Sequence, residues 1–410
     1  MEITTTGLRT CPSTRRTRAG RLFGLSAFLF LVGALVAVAD SGDWTWDLPP
    51  GFPAPRVPAD NPMSEAKVRL GRILFYDTRL SADGSMSCAT CHRPELAFTD
   101  GRARPVGVTG EVHPRSAMSL ANVAYNVSLT WDAPHERDLE GQLTTPIFGH
   151  DPVEMGMERS EDLLARLRSD WLTVLEFQAA FGGSEDGSSD TVSMERVAQA
   201  LAAFQRTLIS GGSAFDRYMY GDEADALDES ERRGMRLFFS RRLGCSDCHA
   251  GFNFSGPVQF EGSRDHEPLF HNTGLYNLSR TREGLGGYPE DNRGLFRHTL
   301  KPEDMGRFKA PTLRNIAVTA PYMHDGSVPT LDAVLDHYAS GGRTIDSGPL
   351  AGVGSENPFK SERMSGFELG PAERRDLIAF LHALTDPSFL QDPRFGPPEG
   401  AATGSSGLDP

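Results

Sequence analysis

Two short motifs carry the most specific chemistry in the chain. Each has two cysteines separated by two residues and followed directly by a histidine: Cys88-Ala-Thr-Cys91-His92 and Cys245-Ser-Asp-Cys248-His249. Thiols at this spacing can form thioether bonds to the edge of a porphyrin, and the adjacent histidine then becomes an axial ligand of the iron. The sequence therefore predicts two covalently bound haems c, with His92 and His249 as proximal ligands.

Four of the five cysteines belong to these motifs. Four cysteines could also form disulfides or bind zinc instead of attaching haem. In an oxidising compartment four cysteines would by default form two disulfides. Two CxxC pairs could also hold zinc as a tetrathiolate. Neither use requires a histidine after each second cysteine, so haem is the favoured interpretation.

The N-terminus has the pattern of an export signal. Basic residues precede an apolar run over 22–39, which ends in Ala37-Val38-Ala39 before Asp40. This pattern predicts a cleaved signal peptide and a periplasmic location, with an uncleaved membrane anchor as the alternative. The net charge of -14 argues against a nucleic-acid partner, because the sequence has no basic stripe that could neutralise phosphates.

The elements that must position the motifs are mostly helical. A helix is expected from the cap Ser64 through Phe75, and the pattern of residues 68–76 recurs at 232–239 before the second motif, which indicates two related haem-binding units in tandem. Further helices are expected over 194–208, 330–338 and 371–384, and a long loop over 251–307. The predicted organisation is a signal peptide over 1–39, an extended lead-in over 40–62, an N-terminal domain over 63–222, a C-terminal domain over 223–392 and a disordered tail over 393–410.

Two strings flanking the motifs carry a family resemblance that runs from about Asn61 to Asp386. The string from Leu70 to Ser81 (LGRILFYDTRLS) and the string from Pro311 to Gly326 (PTLRNIAVTAPYMHDG) resemble the bacterial di-haem cytochrome c peroxidase and MauG superfamily. The resemblance implies a mainly α protein of two tandem cytochrome c-like domains with long loops. It also implies that the haem of the N-terminal domain reacts with peroxide, while the haem of the C-terminal domain is six-coordinate.

Members of the superfamily differ in the distal ligand of the second haem, which the resemblance places at Tyr338. The peroxidases have methionine at this position and MauG has tyrosine. A thioether stabilises ferrous iron, whereas a phenolate favours the higher oxidation states. Tyr338 could instead complete the apolar face of its helix, and three methionines are rival ligands: Met305, Met323 and Met364.

The distal side of the first haem is expected to be open. The resemblance aligns Val108 with the removable distal histidine of the peroxidases, although the nearby His113 could still reach the iron. Gln142 and the following Pro146 resemble distal elements of the family, as does Glu154 after an insertion of two residues. Glu154 is thus the expected acid–base residue, although a lone glutamate in a loop is more often solvated surface.

Two further sites follow from the resemblance. Trp131 matches the tryptophan that lies between the haems in relatives, where it can relay electrons, although a tryptophan is often a buried packing residue. A calcium ion would use the carbonyls of Thr319 and Pro321. Ser116 replaces the asparagine that relatives supply, and a hydroxyl is a poorer ligand for this hard cation.

The implied function is a MauG-type oxidase that uses hydrogen peroxide to form a high-valent two-haem state. The segments from Trp46 to Pro53 (WDLPPGFP) and from Glu95 to Arg102 (ELAFTDGR) look most like the MbnH branch, the di-haem enzymes of methanobactin gene cassettes. That branch implies oxidation of tryptophan towards kynurenine on an exported, copper-binding partner protein. The alternatives are a peroxide-detoxifying peroxidase fed by small redox proteins and a non-catalytic di-haem electron carrier.

Overall fold

The computed structural model describes residues 44–183, 191–281, 284–286 and 288–399. The predicted signal peptide and residues 400–410 of the predicted tail lie outside these ranges. The described residues form one compact unit. Among them no helix has both the length and the apolar composition needed to cross a bilayer.

The described ranges are mainly α-helical, as predicted, with long connecting segments. The α-helices are α1 (Glu65–Phe75), α2 (Cys88–Cys91), α3 (Leu139–Gln142), α4 (Thr144–Phe148), α5 (Ser160–Arg168), α6 (Trp171–Phe181), α7 (Met194–Arg206), α8 (Ala214–Tyr220), α9 (Glu229–Phe238), α10 (Phe296–Thr299), α11 (Leu331–Ala339), α12 (Pro371–His382) and α13 (Pro387–Leu390). Short 3₁₀ helices cover Thr78–Leu80, Pro94–Leu96, Val123–Tyr125, Cys245–Asp247, Glu290–Asn292, Pro302–Asp304, Ile316–Val318 and Gly354–Glu356.

The strands are short and form three antiparallel pairs. They are β1 (Phe270–His271), β2 (Ser279–Thr281), β3 (Gly284–Gly286), β4 (Phe308–Lys309), β5 (Thr344–Ile345) and β6 (Gly352–Val353). β1 pairs with β4, β2 with β3, and β5 with β6. The segment predicted as one long loop over 251–307 therefore also contains β1, β2, β3 and α10.

Side-chain caps set the starts of the helices that the sequence predicted. The Ser64 hydroxyl accepts a hydrogen bond from the Lys67 amide at the start of α1. Thr330 accepts from the Ala333 amide at the start of α11. Each cap satisfies an amide that the first turn of a helix leaves without a partner, which fixes where the helix begins.

The first core forms where α1 crosses α7. Gly71 lies so close to α7 that a Cβ atom there would stand 1.9 Å from the Ala200 carbonyl oxygen. One turn later, Phe75 packs edge-on against Phe204 and Phe98 at centroid distances of 5.3 and 5.9 Å. The glycine thus permits the close helix crossing on which this aromatic cluster depends.

The second core repeats this arrangement where α9 crosses α12. A Cβ atom at Gly234 would stand 1.9 Å from the Asp376 carbonyl oxygen. Phe238 packs against Phe380 and Phe254 at 5.4 and 5.7 Å. The repeated glycine contact and aromatic cluster confirm the prediction of two related units in tandem.

The two chain ends of the described region differ in how well the sequence predicted them. The described part of the lead-in, residues 44–62, contains no helix or strand, and Phe52 packs against Phe252 at 5.0 Å. The prediction of disorder from Pro393 onward is wrong for residues 393–397. Arg72 donates hydrogen bonds to the carbonyls of Pro393 and Gly396, and Phe395 is buried. These long-range contacts stabilise a segment whose composition alone suggested disorder.

Candidate active site

The histidines of the two motifs are held in the same way. His92 Nδ1 lies 2.7 Å from the carbonyl oxygen of Phe98, and His249 Nδ1 lies 3.0 Å from that of Phe254. A carbonyl can only accept, so each Nδ1 carries the proton and each Nε2 is left as a ligand atom. Burial lowers the pKa of both histidines, which favours the neutral imidazole that binds a metal.

None of the four motif cysteines forms a disulfide in the structure. Burial raises the pKa of Cys88, Cys91 and Cys245 to about 12, so these thiols are neutral when no metal or other group is bound to them. Among the described residues, no group of three or more histidine, cysteine or acidic side chains could hold a metal ion. Neither the disulfide nor the tetrathiolate alternative forms in this part of the chain.

A large apolar cavity surrounds the second motif. It measures about 1530 Å³ with its open mouth, and Cys245, Cys248 and His249 all line it. Its other lining residues are mostly apolar and include Phe308, Leu331, Leu335, Leu377 and Leu381. An apolar cavity with two neutral thiols and a neutral imidazole nitrogen suits a covalently attached haem.

Tyr338 faces the same cavity as His249, from the last turn of α11. Burial, and to a lesser degree the neighbouring Cys248 and Cys245 thiols, raise the pKa of Tyr338. Two of the rival methionines, Met323 and Met364, also line the cavity. The cavity therefore offers both an oxygen donor and sulfur donors, and the choice between them stays a prediction.

On the side of the first motif, Glu154 lies against the loop that contains Val108. The Val108 amide donates a hydrogen bond of 2.8 Å to the Glu154 carbonyl. Gly107 makes this contact possible, because a Cβ atom there would stand 1.9 Å from the Val153 carbonyl oxygen. The position aligned with the distal histidine of the peroxidases is thus occupied by a valine beside the glutamate.

The segment around Gln142 and Pro146 contacts the segment that contains Glu154. Gln142 ends α3 and is half-buried. The Met155 amide donates to the Pro146 carbonyl at 2.9 Å, and the Met157 amide donates to the Ile147 carbonyl at 2.9 Å. The connection that contains the two extra residues before Glu154 therefore joins two segments that are hydrogen-bonded to each other.

His113 pairs with Glu154. Its Nε2 lies 3.5 Å from Oε1 of Glu154, and its Nδ1 lies 3.0 Å from the backbone nitrogen and 2.9 Å from the carbonyl oxygen of Arg115. Both ring nitrogens therefore face protein groups. This geometry favours a role beside the glutamate over the alternative that His113 ligates the first iron.

Trp131 joins the two units. Its indole Nε1 donates to the Ser116 carbonyl at 2.9 Å, and its ring is 9 % exposed. The same ring lines the cavity of the second motif and makes an edge-to-face contact with His324 at 6.5 Å. A buried indole that belongs to the first unit and reaches the cavity of the second can relay electrons between them.

The calcium site predicted at Thr319 and Pro321 stays a prediction. Ser116, which replaces the expected asparagine, donates through its hydroxyl to the Met323 carbonyl at 3.2 Å. The Thr319 hydroxyl donates to the Ile316 carbonyl at 3.2 Å. The hydroxyl and carbonyl donors here are weaker partners for calcium than carboxylates are.

Two buried polar residues beside Trp131 lie outside the predicted set. His324 stacks on Phe308 at 3.6 Å, and burial lowers its pKa to about 4. Lys309 is 7 % exposed and lines the cavity of the second motif. A lysine in a long, polar segment gives no local signal of burial, so only the fold places it here.

Comparisons with known proteins identify relatives that are di-haem cytochromes. A family model described as di-haem cytochrome c peroxidase matches residues 65–224, and a model described as RoxA-like, cytochrome c-like matches residues 307–340. The chain is 36 % identical over 327 residues to the methylamine utilization protein MauG of Methylorubrum extorquens, covering 80 % of each chain. It is 34 % identical over 380 residues to the cytochrome-c peroxidase IdrP1 of Denitromonas iodatirespirans, covering 88 % of this chain and 94 % of the relative.

A solved structure is similar over nearly its whole length. It is the crystal structure of a MauG-like protein associated with microbial copper homeostasis, with a TM-score of 0.82 and 46 % sequence identity. The match covers 87 % of this chain and 99 % of that chain. The chain belongs to the di-haem cytochrome c peroxidase and MauG family, whose members are haem-dependent oxidoreductases that act on peroxide.

Proposed function

We propose that this protein is a MauG-type oxidase that uses hydrogen peroxide to oxidise a residue of an exported partner protein. The observation that carries the proposal is Tyr338, an oxygen donor in the cavity that also contains His249, Cys245 and Cys248. A phenolate is a hard, anionic ligand that favours the higher oxidation states of iron. That preference suits the storage of oxidising equivalents better than the rapid uptake of electrons.

The residues of each motif would hold one haem c. Cys88 and Cys91 would form thioethers to the first haem, with His92 as its axial ligand, and the corresponding residues of the second motif would hold the other. When bound, the two haems supply the redox chemistry that reduces peroxide and holds its oxidising equivalents. The polypeptide contributes proton transfer, ligation and the route between the two sites.

Glu154 is the proposed acid–base residue. Cleavage of the O–O bond of peroxide is assisted when a proton moves from one peroxide oxygen to the other, which then leaves as water. A carboxylate can accept and return that proton. The backbone bond from Val108 and the side-chain contact with His113 hold Glu154 in place. Gln142, on the adjoining segment, would donate a hydrogen bond to the bound peroxide.

Ligation of the second iron by Tyr338 can be tested directly. The ferric holoprotein should show a high-spin first haem and a low-spin second haem in EPR, and one equivalent of peroxide should oxidise both. Tyr338→Phe should abolish the long-lived oxidised state while leaving the reaction of the first haem intact. Tyr338→Met should restore six-coordination and raise the reduction potential of the second haem.

Matched controls distinguish tyrosine from the sulfur donors of the same cavity. Met323→Leu and Met364→Leu remove thioethers without removing the phenol, and both should leave the EPR signal of the second haem unchanged. Loss of that signal in either methionine variant, with Tyr338→Phe unaffected, would contradict the proposal. It would favour the second candidate, a peroxide-detoxifying peroxidase, which the presence of both methionines in the cavity keeps open.

We infer further that the substrate is a tryptophan of an exported copper-binding protein, oxidised towards kynurenine in the periplasm. The similar MauG-like protein associated with copper homeostasis supports this partner class. Trp131 supports sharing of oxidising equivalents between the two sites, because its buried ring reaches the second cavity from the first unit. Peptide mass spectrometry of an exported copper-binding protein after treatment with the holoprotein and peroxide tests the inference. Rapid turnover with reduced cytochrome c or cupredoxin, and no modified tryptophan, would contradict it.

A further inference from the structure

Lys309 is a buried cation without an acidic partner among the described residues. It lies on β4, is 7 % exposed, and donates from Nζ to the Ser128 carbonyl at 2.7 Å. Burial alone lowers its pKa, to about 7, and no described carboxylate offsets that effect. A neutral carbonyl compensates only part of the cost of taking an ammonium group out of water.

The ammonium group has three donors, and the Ser128 carbonyl uses one of them. The buried lysines of stable proteins are usually paired with an anion, because an unpaired charge in the interior costs several kcal/mol. An anion beside Nζ would stabilise the charged form of Lys309, and the described residues do not supply one. The position of Lys309 indicates where such an anion would come from.

Lys309 lines the same cavity as the haem-attachment residues Cys245, Cys248 and His249. A haem carries two propionate carboxylates at its edge, and the rest of this cavity is mostly apolar. We propose that Lys309 binds a propionate of the second haem. This inference rests on the family assignment and not on Tyr338, so either can fail without the other.

Lys309 is also hydrogen-bonded to the segment that contains Trp131. Its amide donates to the Trp131 carbonyl at 2.9 Å, and its side chain is bonded to Ser128, three residues before that tryptophan. A propionate on Nζ would therefore connect the second haem to the segment that carries Trp131. Lys309 is in this sense a positioning residue for the region between the two haems.

The test removes the charge and measures the haem itself. In potentiometric titrations of the holoprotein, Lys309→Met should shift the ferrous-to-ferric ratio of the second haem at least tenfold towards ferric, about 59 mV for one electron. The first haem should not change. Lys309→Arg keeps the charge and should keep the potential. Lys301→Met, which removes an exposed lysine of the same segment, should have no effect.

Resonance Raman spectroscopy of the propionate bending mode provides a readout that does not depend on the methionine variant folding. The mode of the second haem should differ between wild-type protein and Lys309→Arg, because ammonium and guanidinium donate differently. A potential in Lys309→Met equal to that in Lys301→Met would overturn the proposal. So would an unchanged Raman mode with a wild-type potential that depends on added chloride or phosphate, since a free anion would then be the partner.

Discussion

The two haem-binding units share a scaffold and differ in what faces the iron. Gly71 and Gly234 allow the same helix crossing, each with the hypothetical Cβ atom 1.9 Å from a backbone carbonyl oxygen. The carbonyls that accept from His92 and His249 belong to phenylalanines that both have positive φ, Phe98 at 63° and Phe254 at 50°. Repeated features therefore hold the two motif histidines in the same way.

The opposite sides of the two sites are built from elements that are not repeated. Beside the first motif, the loop with Val108 and His113 lies against Glu154, and the side chain of this glutamate is 40 % exposed. In the second unit, α11 brings Tyr338 into an apolar cavity. Under the proposed function, one scaffold gives two reactivities because its unrepeated segments supply an acid–base group to one iron and a ligand to the other.

The largest expected effect comes from the acid–base group. Glu154→Gln keeps the size of the side chain but removes its ability to take up and return a proton. We expect the second-order rate of the reaction with peroxide to fall by about 10²–10⁴-fold, the usual contribution of such a group. Stopped-flow absorbance at the first haem measures this rate.

The spectrum of the second haem provides the internal control for Glu154→Gln. The variant should keep the wild-type EPR signal of that haem, because Glu154 belongs to the other site. A rate within threefold of wild type, with both haems incorporated, would remove Glu154 from the mechanism. The acid–base role would then fall to another residue near the first motif.

The next largest effect tests the shared scaffold. Gly71→Ala and Gly234→Ala each gain about 1 kcal/mol of helix propensity. Each also places a methyl group against a backbone carbonyl that cannot move aside, and overpacking of this kind costs about 1–3 kcal/mol or more. Because an approach of 1.9 Å is a severe clash, the cost should lie at the upper end of this range. We therefore expect a net loss of about 2 kcal/mol in the free energy of unfolding for each variant, measured by denaturant titration of the holoprotein.

Gly183→Ala is the matched control, because a Cβ atom there meets nothing within 4 Å. It should be neutral within error. The losses in the free energy of unfolding for Gly71→Ala and Gly234→Ala should be similar. If they differ by more than the loss expected for either variant alone, the two helix crossings are not energetically equivalent. The two units would then share the geometry of the helix crossing but not its contribution to stability.

Local sequence predicted the features that depend on near neighbours. Ser64 and Thr330 cap the helices they were expected to start, because a cap interacts with an amide only three residues away. The two haem motifs and the repeat of helix, motif and aromatic residues also follow from short spacings. The resemblance then added Trp131, which the structure places between the two units.

Contacts between distant segments could not be read from the sequence. His113 and Glu154 are far apart in the chain, and only the fold brings them to 3.5 Å. Lys309 is buried, and it donates hydrogen bonds to the carbonyls of Ser128 and Trp131 in the first unit, far away in the chain. The segment after Pro393 has the composition of a disordered tail, yet its carbonyls accept hydrogen bonds from Arg72 on α1.

The smallest expected effect concerns His113, which contacts Glu154 beside the first motif. His113→Gln can still donate a hydrogen bond towards the carboxylate, whereas His113→Phe cannot. We expect the rate with peroxide to fall about tenfold in the phenylalanine variant, about 1.4 kcal/mol of transition-state free energy, and much less in the glutamine variant. The ferric EPR signal of the first haem should stay high-spin in wild type and both variants, since His113 Nδ1 and Nε2 both face protein groups. The contrary result is a first haem that is low-spin in wild type and becomes high-spin in both variants. His113 would then be a ligand of the first iron. Both irons would be six-coordinate, and the two units would differ less than their unrepeated segments suggest.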